Sequence, residues 1–109
     1  MPELITFDVA AGRLGLPVTK VHQLVKEGSL IAIRGQDGVR RTAGEFFDGA
    51  AVVKGLSAVI TLLRDGNFDD LEIMTWLFRD DDSLPGTPVA ALRENRGTEV
   101  KRRAQAAGF

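Results

Sequence analysis

The stretch TFDVAAGRLGLPVTKVHQLVKEGSLIAIR, residues 6–34, contains two short helical patterns separated by a glycine and a proline. The first follows a threonine suited to cap a helix, and its apolar residues recur at the spacing of a buried face: Phe7, Ala10, Ala11 and Leu14. In the second, apolar residues also repeat at helical spacing and a glycine closes the pattern: Val18, Val21, Leu24 and Val25, then Gly28. Gly15 and Pro17 suit a helix end and a helix start. The sequence therefore predicts helices over residues 7–14 and 18–27 that meet at a tight turn.

A hairpin is predicted directly after the second helix. Residues 30–34 (LIAIR) and 39–42 (VRRT) are short β-prone runs, and the glycine-rich turn GQDG at residues 35–38 separates them. Two phenylalanines follow and are expected to pack the hairpin onto the helices. Helix, tight turn, helix and hairpin, in this order, form the plan of a winged helix-turn-helix domain, which we expect at residues 1–47.

The remaining residues, 48–109, are predicted to form a small all-helical module. One apolar stripe is Leu56, Val59, Ile60 and Leu63. Asp69 and Glu72 form a variant capping box for the next helix, whose inward residues are Ile73, Met74, Leu77 and Phe78. Thr87 with Pro88 is a further helix start, and Thr98 is expected to cap a last helix carrying Val100, Ala104 and Ala107. The predicted fold class is α+β, mainly α.

Length and composition exclude several classes of protein. A chain of 109 residues fits one compact domain or two small modules, and 44% apolar with 27% charged residues is typical of a globular protein. The absence of cysteine excludes disulfides and thiolate metal sites, and the single histidine has no second imidazole for a metal site. No apolar run is long enough for a membrane helix, and the first residues do not resemble a signal peptide. We expect a cytoplasmic protein without membrane contact.

No pattern in the chain indicates catalysis. No serine or cysteine nucleophile stands in a recognisable motif, and the glycines lack the spacing of a phosphate-binding loop. The acidic run at residues 80–82 lacks the spacing of a calcium loop and is interpreted as a solvated helix end. We therefore expect no enzymatic activity, no catalytic residues, no metal and no cofactor.

Polar side chains on the exposed side of the second helix are of the kinds that read DNA in the major groove. They are Thr19, Lys20, His22, Gln23 and Lys26. Gln23 suits two-point pairing with adenine, Thr19 and His22 suit a thymine methyl or a guanine edge, and the two lysines suit phosphate. The alternative is an ordinary solvated helix face.

Three arginines flank the glycine-rich turn of the predicted hairpin: Arg34, Arg40 and Arg41. A planar guanidinium pairs well with phosphate and fits a narrow minor groove, so we expect these side chains to contact the DNA backbone. The alternative is that they only keep the hairpin soluble. The formal net charge of −1 does not argue against DNA binding, because residues 1–47 carry one more basic than acidic residue and the acidic excess lies beyond them.

Residues 6–34 resemble the winged helix-turn-helix of the excisionase and MerR type. The likeness consists of Ala-Ala, Leu-Gly-hydrophobic, a helix ending in Glu-Gly, and a Leu-x-Ala-x-Arg strand. With the string VVKGLSAVITLLRDGNFDDLEIMTWLFRDDDSLPGTPVAALRENRGTEVKRRAQA at residues 52–106, nearly the whole chain resembles a family of small actinobacterial winged-helix DNA-binding proteins. This resemblance implies sequence-specific binding of double-stranded DNA, transcriptional regulation and no cofactor.

The C-terminal half is also similar, in part, to the toxin-binding domain of Xre/MbcA/ParS antitoxins. The similarity lies in a Trp-Leu helix, an acidic loop with Leu84 and Gly86, Thr87-Pro88 and a basic terminal helix. It implies the alternative function: an antitoxin-like protein whose C-terminal module binds a toxin and whose N-terminal half autoregulates. Trp76 is assigned to packing or to a subunit contact. A homodimer is expected, because DNA sites are commonly read as paired half-sites.

Overall fold

A computed structural model of the chain describes residues 2–108. The helices of this region are α1 (Phe7–Leu14), α2 (Val18–Lys26), α3 (Leu56–Asp65), α4 (Asp70–Leu77), α5 (Pro88–Arg93) and α6 (Gly97–Ala107). The strands are β1 (Leu4–Thr6), β2 (Ile33–Arg34), β3 (Arg40–Ala43), β4 (Phe47–Asp48) and β5 (Ala51–Val52). This architecture confirms the predicted class, an α+β fold that is mainly α, with a winged helix-turn-helix before a helical module. None of the helices between residues 2 and 108 is long and apolar enough to cross a bilayer.

The first helix begins and ends where its sequence predicts. The hydroxyl of Thr6 accepts a hydrogen bond from the Val9 amide at 3.3 Å, which satisfies one of the free donors at the helix start. Gly15 adopts a left-handed φ of 65°, and its amide donates back to the last turn of the helix. In α2, Val21 and Val25 are buried, whereas Val18 and Leu24 are only half-buried. Gly15–Pro17 thus turns the chain sharply between the two helices.

The wing is a three-stranded antiparallel sheet in the order β1-β3-β2, and not the two-stranded hairpin that the sequence predicts. The added strand is β1, in which Leu4 faces Ala43 and Thr6 faces Arg41. The predicted strand over residues 30–34 is also too long, since only Ile33 and Arg34 pair with β3. Residues 30–32 are buried, and the Ile31 carbonyl accepts from the Thr42 hydroxyl at 2.8 Å. A side-chain hydrogen bond therefore replaces the backbone ladder there.

In the C-terminal part, α3 packs mainly against α6. The predicted capping box is confirmed, because the Asp69 carboxylate accepts from the Glu72 amide and the Glu72 carboxylate accepts from the Asp69 amide. The predicted cap at Thr98 is wrong, since α6 already begins at Gly97 with Arg96 as its N-cap. Ala107 is exposed and not part of the buried stripe.

A single hydrophobic core joins the two halves of the chain. Phe46 is fully buried, and its ring centroid lies 5.7 Å from that of Phe78. The Arg93 guanidinium in α5 donates to the backbone carbonyls of Glu45 and Phe47. Strands β4 and β5 pair across the predicted boundary between residues 47 and 48. The helical module therefore supports the base of the wing. The division into two domains, 1–47 and 48–109, stays a prediction from the sequence.

Candidate nucleic-acid interface

The polar residues of the second helix that are predicted to contact DNA all lie on the exposed surface of α2. They are Thr19, Lys20, His22, Gln23 and Lys26. Three of them follow the i, i+4, i+7 spacing of a single helix face: Thr19, Gln23 and Lys26. The ammonium of Lys20 donates to the Gln23 side-chain carbonyl at 3.5 Å. Gln23 is exposed, and its amide NH2 group donates to no side chain of residues 2–108, so the donor end is free while the carbonyl end is shared with Lys20.

His22 on α2 and Arg40 on β3 both contact the ring of Phe7. The His22 imidazole packs edge-on against this ring, with centroids 4.8 Å apart and an interplanar angle of 76°. The Arg40 guanidinium carbon lies 5.3 Å from the centroid of the same ring. Phe7 itself is buried at the start of α1. The Phe7 ring therefore lies between α2 and the wing. Its position in the apolar stripe of α1 did not indicate this role.

The wing presents two arginines at neighbouring positions. Arg34 on β2 faces Arg40 on β3, and both side chains belong to exposed residues. The Arg34 guanidinium donates to the Gly38 carbonyl at 2.7 Å across the turn, where Gly38 has a left-handed φ of 78°. Neither arginine forms a salt bridge within residues 2–108, so both guanidinium groups can bind a phosphate.

A groove of about 400 Å³ separates α2 from the wing. Its walls come from α1, from the start of α2 and from the hairpin: Phe7, Asp8, Val18, His22, Arg34, Gly38, Val39 and Arg40. The structure therefore brings His22, Arg34 and Arg40 together in one groove. Thr19, Gln23 and Lys26 do not line it. Asp8, which no sequence pattern indicated, is the acidic residue that lines this groove.

Arg41 differs from the other two arginines because its charge is paired within the hairpin. Its guanidinium makes a two-point contact with the Asp37 carboxylate, at 3.2 Å (Nη1 to Oδ1) and 2.8 Å (Nη2 to Oδ2). The same carboxylate accepts from the Val39 amide at 3.0 Å. Sequence reasoning missed this pair, since Asp37 was assigned only to the turn. Arg41 therefore stabilises the hairpin turn. A phosphate would have to compete with Asp37 for the Arg41 guanidinium.

The Asp37 pair should give the wing a pH dependence. Hydrogen bonds from Arg41 and from the Val39 amide lower the pKa of Asp37 from 3.8 to about 2. Because the pKa is lowered by folding, the stabilisation is complete above the unfolded value of 3.8 and is lost as the pH falls through about 2. We expect an NMR titration of the Asp37 carboxyl carbon to show a midpoint near 2.

The control for this titration is Arg41→Ala, which should return the Asp37 midpoint toward its ordinary value because the main cause of the shift is removed. A midpoint near 4 in the unchanged protein would contradict the pairing seen here. The pair is exposed, so solvent screening keeps its share of the total stability small.

Two arginines at the last helix, its N-cap Arg96 and Arg103 within it, make contacts inside the C-terminal module. The guanidinium of Arg96 contacts Glu99 at 2.8 Å and Glu94 at 3.1 Å, and these hydrogen bonds raise its pKa. It also donates to the Leu84 carbonyl at 2.9 Å. Arg103 donates to the Ser83 hydroxyl at 2.7 Å. These two arginines fasten the loop before α5 to α6, so they lie outside the candidate interface. Within residues 2–108, no three acidic or histidine side chains are grouped as metal ligands.

Two domain families match the chain, one in its N-terminal half and one in its C-terminal half. Residues 2–47 match a family described as the wHTH domain of the DNA-binding protein Rv2175c. Residues 53–108 match a family described as the Rv2175c C-terminal domain of unknown function. The two matches leave only the short β4–β5 segment between them.

A relative and a solved structure agree with these matches over the length of the chain. The DNA-binding protein Rv2175c of Mycobacterium tuberculosis strain H37Rv is 40% identical over 122 aligned residues, which cover 99% of this chain and 84% of that protein. The NMR structure of Rv2175c superposes with a TM-score of 0.88 at 37% identity, over 99% of this chain and 82% of that one. The likeness to an actinobacterial winged-helix family inferred from the residues is thereby confirmed, and the chain belongs to the Rv2175c family of winged helix-turn-helix proteins.

Proposed function

We propose that this protein binds double-stranded DNA in a sequence-specific manner, with α2 in the major groove and the wing on the neighbouring backbone. The observation that carries the proposal is the groove between α2 and the wing, in which Arg34 and Arg40, neither of which forms a salt bridge within residues 2–108, lie opposite His22 at the exposed surface of α2. This is the geometry in which a winged helix-turn-helix approaches a duplex. The relative from Mycobacterium tuberculosis is itself named a DNA-binding protein, which supports the assignment.

Each polar residue of the interface has a proposed contact. Gln23 offers its amide NH2 group as a donor to the edge of an adenine, and its carbonyl as an acceptor once Lys20 turns from it to a phosphate. Thr19 and His22 flank it and are assigned to neighbouring base edges. Lys20 and Lys26 are assigned to phosphates beside the groove that α2 enters.

Arg34 and Arg40 are assigned to phosphates, and Arg41 is assigned a smaller share because Asp37 already pairs with it. The net charge of −1 is compatible with these phosphate contacts, since DNA binding depends on the charge near the contact and the arginines lie together on the wing.

The wing contacts predict a specific change in salt dependence. Replacing Arg34 and Arg40 together with alanine removes two phosphate contacts, so the slope of log affinity against log salt should flatten by about 1.8, at about 0.9 per contact. Affinity for preferred and random duplexes should fall alike, because phosphate is the same at every base pair. Arg41→Ala should flatten the slope by less than one contact. The measurement is a salt titration followed by fluorescence anisotropy of a labelled duplex.

The matched control is Arg102→Ala, which removes an exposed arginine from α6 and should leave the slope unchanged. An equal change of slope in that variant would mean that the effect comes from net charge and not from the wing. An unchanged slope in the Arg34 and Arg40 variant, with the fold intact, would return these arginines to a role in solubility.

We further propose that the protein is a transcriptional regulator that acts in the cytoplasm, has no enzymatic activity and binds as a homodimer to paired half-sites. The family supports the non-enzymatic assignment, because its N-terminal domain is described as the winged helix-turn-helix of a DNA-binding protein. The antitoxin-like alternative stays a prediction. DNA binding is preferred, since both halves of the chain match one family and a relative in it is named for DNA binding.

A further inference from the structure

The outer face of α4 carries an apolar surface that nothing in residues 2–108 covers. Leu71 is 60% exposed, the largest value among the exposed large hydrophobic side chains described. Phe68 and Trp76 beside it are only half-buried. The Thr75 hydroxyl donates to the Leu71 carbonyl at 2.8 Å, so it needs no further partner if this face is covered. We call this surface the α4 face and define it as Phe68, Leu71, Glu72, Thr75, Trp76 and Arg79.

The shape of the α4 face suits a second copy of itself. Leu71 lines three hollows, of which the one on the wing side also touches Arg34 and Arg40 and the remaining two lie beside the α4 face. One hollow, of about 360 Å³, lies along the α4 face toward Trp76. The other, of about 160 Å³, lies against the sheet and is walled by Leu4, Ile33 and Phe78 among others. A projecting side chain beside a hollow is self-complementary under a two-fold axis, because each copy supplies both features.

The charges of the α4 face are self-complementary in the same sense. Glu72 lies in the first turn of α4 and Arg79 lies two residues beyond its last residue, so the two charges stand at opposite ends of the α4 face. Among the described residues Arg79 has no acidic partner within 4.0 Å, whereas the neighbouring Asp70 is paired with Arg64 at 2.9 Å. In an antiparallel pair of α4 helices, Glu72 of each chain would face Arg79 of the other. Two ion pairs would then flank the apolar centre.

We propose that the α4 face is the interface of a symmetric homodimer whose two-fold axis passes close to Thr75. This inference rests on the proposed function in one respect: the dimer would present its two α2 helices to paired DNA half-sites. One helix face per chain covers less than the 1,200–2,000 Å² or so of a standard stable interface, so the dimer is weak and its population depends on concentration. Binding of both chains to one duplex raises their effective concentration and completes the pairing.

Sedimentation equilibrium of the full chain without DNA tests the interface separately from DNA binding. The unchanged protein should shift from monomer to dimer between low micromolar and millimolar concentration. Leu71→Asp should weaken self-association about tenfold or more, as expected for a central apolar contact. Val9→Asp, at an exposed apolar position on α1, is the matched control and should have no effect. A protein that stays monomeric throughout, or a dimer unaffected by Leu71→Asp, would overturn the proposal.

A charge exchange distinguishes this geometry from any other dimer. Arg79→Glu places like charges opposite each other in its own dimer, and Glu72→Arg does the same with the opposite sign. Each variant alone should self-associate about tenfold less than the unchanged protein, whereas a mixture should form heterodimers with both ion pairs restored. Melting curves of each variant verify the fold, because Glu72 also caps α4. A mixture that associates no better than its components would refute the antiparallel pairing, whether or not the protein binds DNA.

Discussion

Replacing Phe46 with alanine should lower the free energy of unfolding by about 3–5 kcal/mol, the range for a large aromatic removed from a packed core. Phe46 is fully buried, its ring packs against Phe78, and its carbonyl accepts from the Val53 amide at 2.8 Å. A small domain is typically stable by about 5–15 kcal/mol in total, so this one change should remove much of its margin. Urea denaturation followed by far-UV circular dichroism measures the effect.

Phe46→Leu is the control for shape, and it should cost less than about 1.5 kcal/mol because most of the apolar volume is kept. The single tryptophan, Trp76, provides a second signal from the helical module. Because one core joins both halves, the fluorescence and dichroism transitions should shift together. A fluorescence transition that stays in place while the dichroism transition moves would mean that the halves unfold independently, against the single core described above.

The second large effect concerns base recognition by α2. Gln23→Ala should lower affinity for the preferred duplex by about 1–3 kcal/mol, a loss of roughly 5- to 150-fold, and should lower affinity for random DNA much less. The reason is that a two-point contact with adenine is made only at the correct base. Gln23 is exposed, so stability should change by less than about 0.5 kcal/mol. Competition binding with preferred and random duplexes measures both affinities.

Lys26→Ala is the comparison for Gln23→Ala, since it alters the same helix face at a residue assigned to phosphate. It should weaken binding to both duplexes equally and flatten the salt slope by about 0.9. If Gln23→Ala also weakened both duplexes equally, sequence reading would have to be assigned to other residues of α2, such as Thr19 or His22.

The parts of the fold that depend on neighbours in sequence were predictable. The Thr6 cap, the Gly15 turn and the capping box of Asp69 and Glu72 each involve groups no more than four residues apart, so the sequence alone contains the whole interaction. The buried stripes of α1 and α3 follow from spacing in the same way.

The parts that depend on distant residues were not predictable from local patterns. Strand β1 has three residues and pairs with β3 far along the chain, so nothing in Leu4–Thr6 indicates its partner. The predicted cap at Thr98 was wrong although every group involved is local, because α6 begins at Gly97 and Arg96 stands at its N-cap. The candidate site contains a second short-range feature that spacing did not indicate. Spacing identified the exposed residues of α2, but the pairing of Arg41 with Asp37 exists only once the hairpin turn has closed.

The measurement that tests the central claim most directly is an amide NMR titration of isotope-labelled protein with a duplex selected from a random pool. Sequence-specific binding through α2 and the wing predicts that saturable shift changes concentrate at Thr19, His22, Gln23, Arg34 and Arg40. The amides of α3 and α6 should move little, because those helices form the support of the fold and not its proposed DNA-binding surface. Shift changes confined to α4, α5 and α6, or no change at any duplex concentration, would contradict the account.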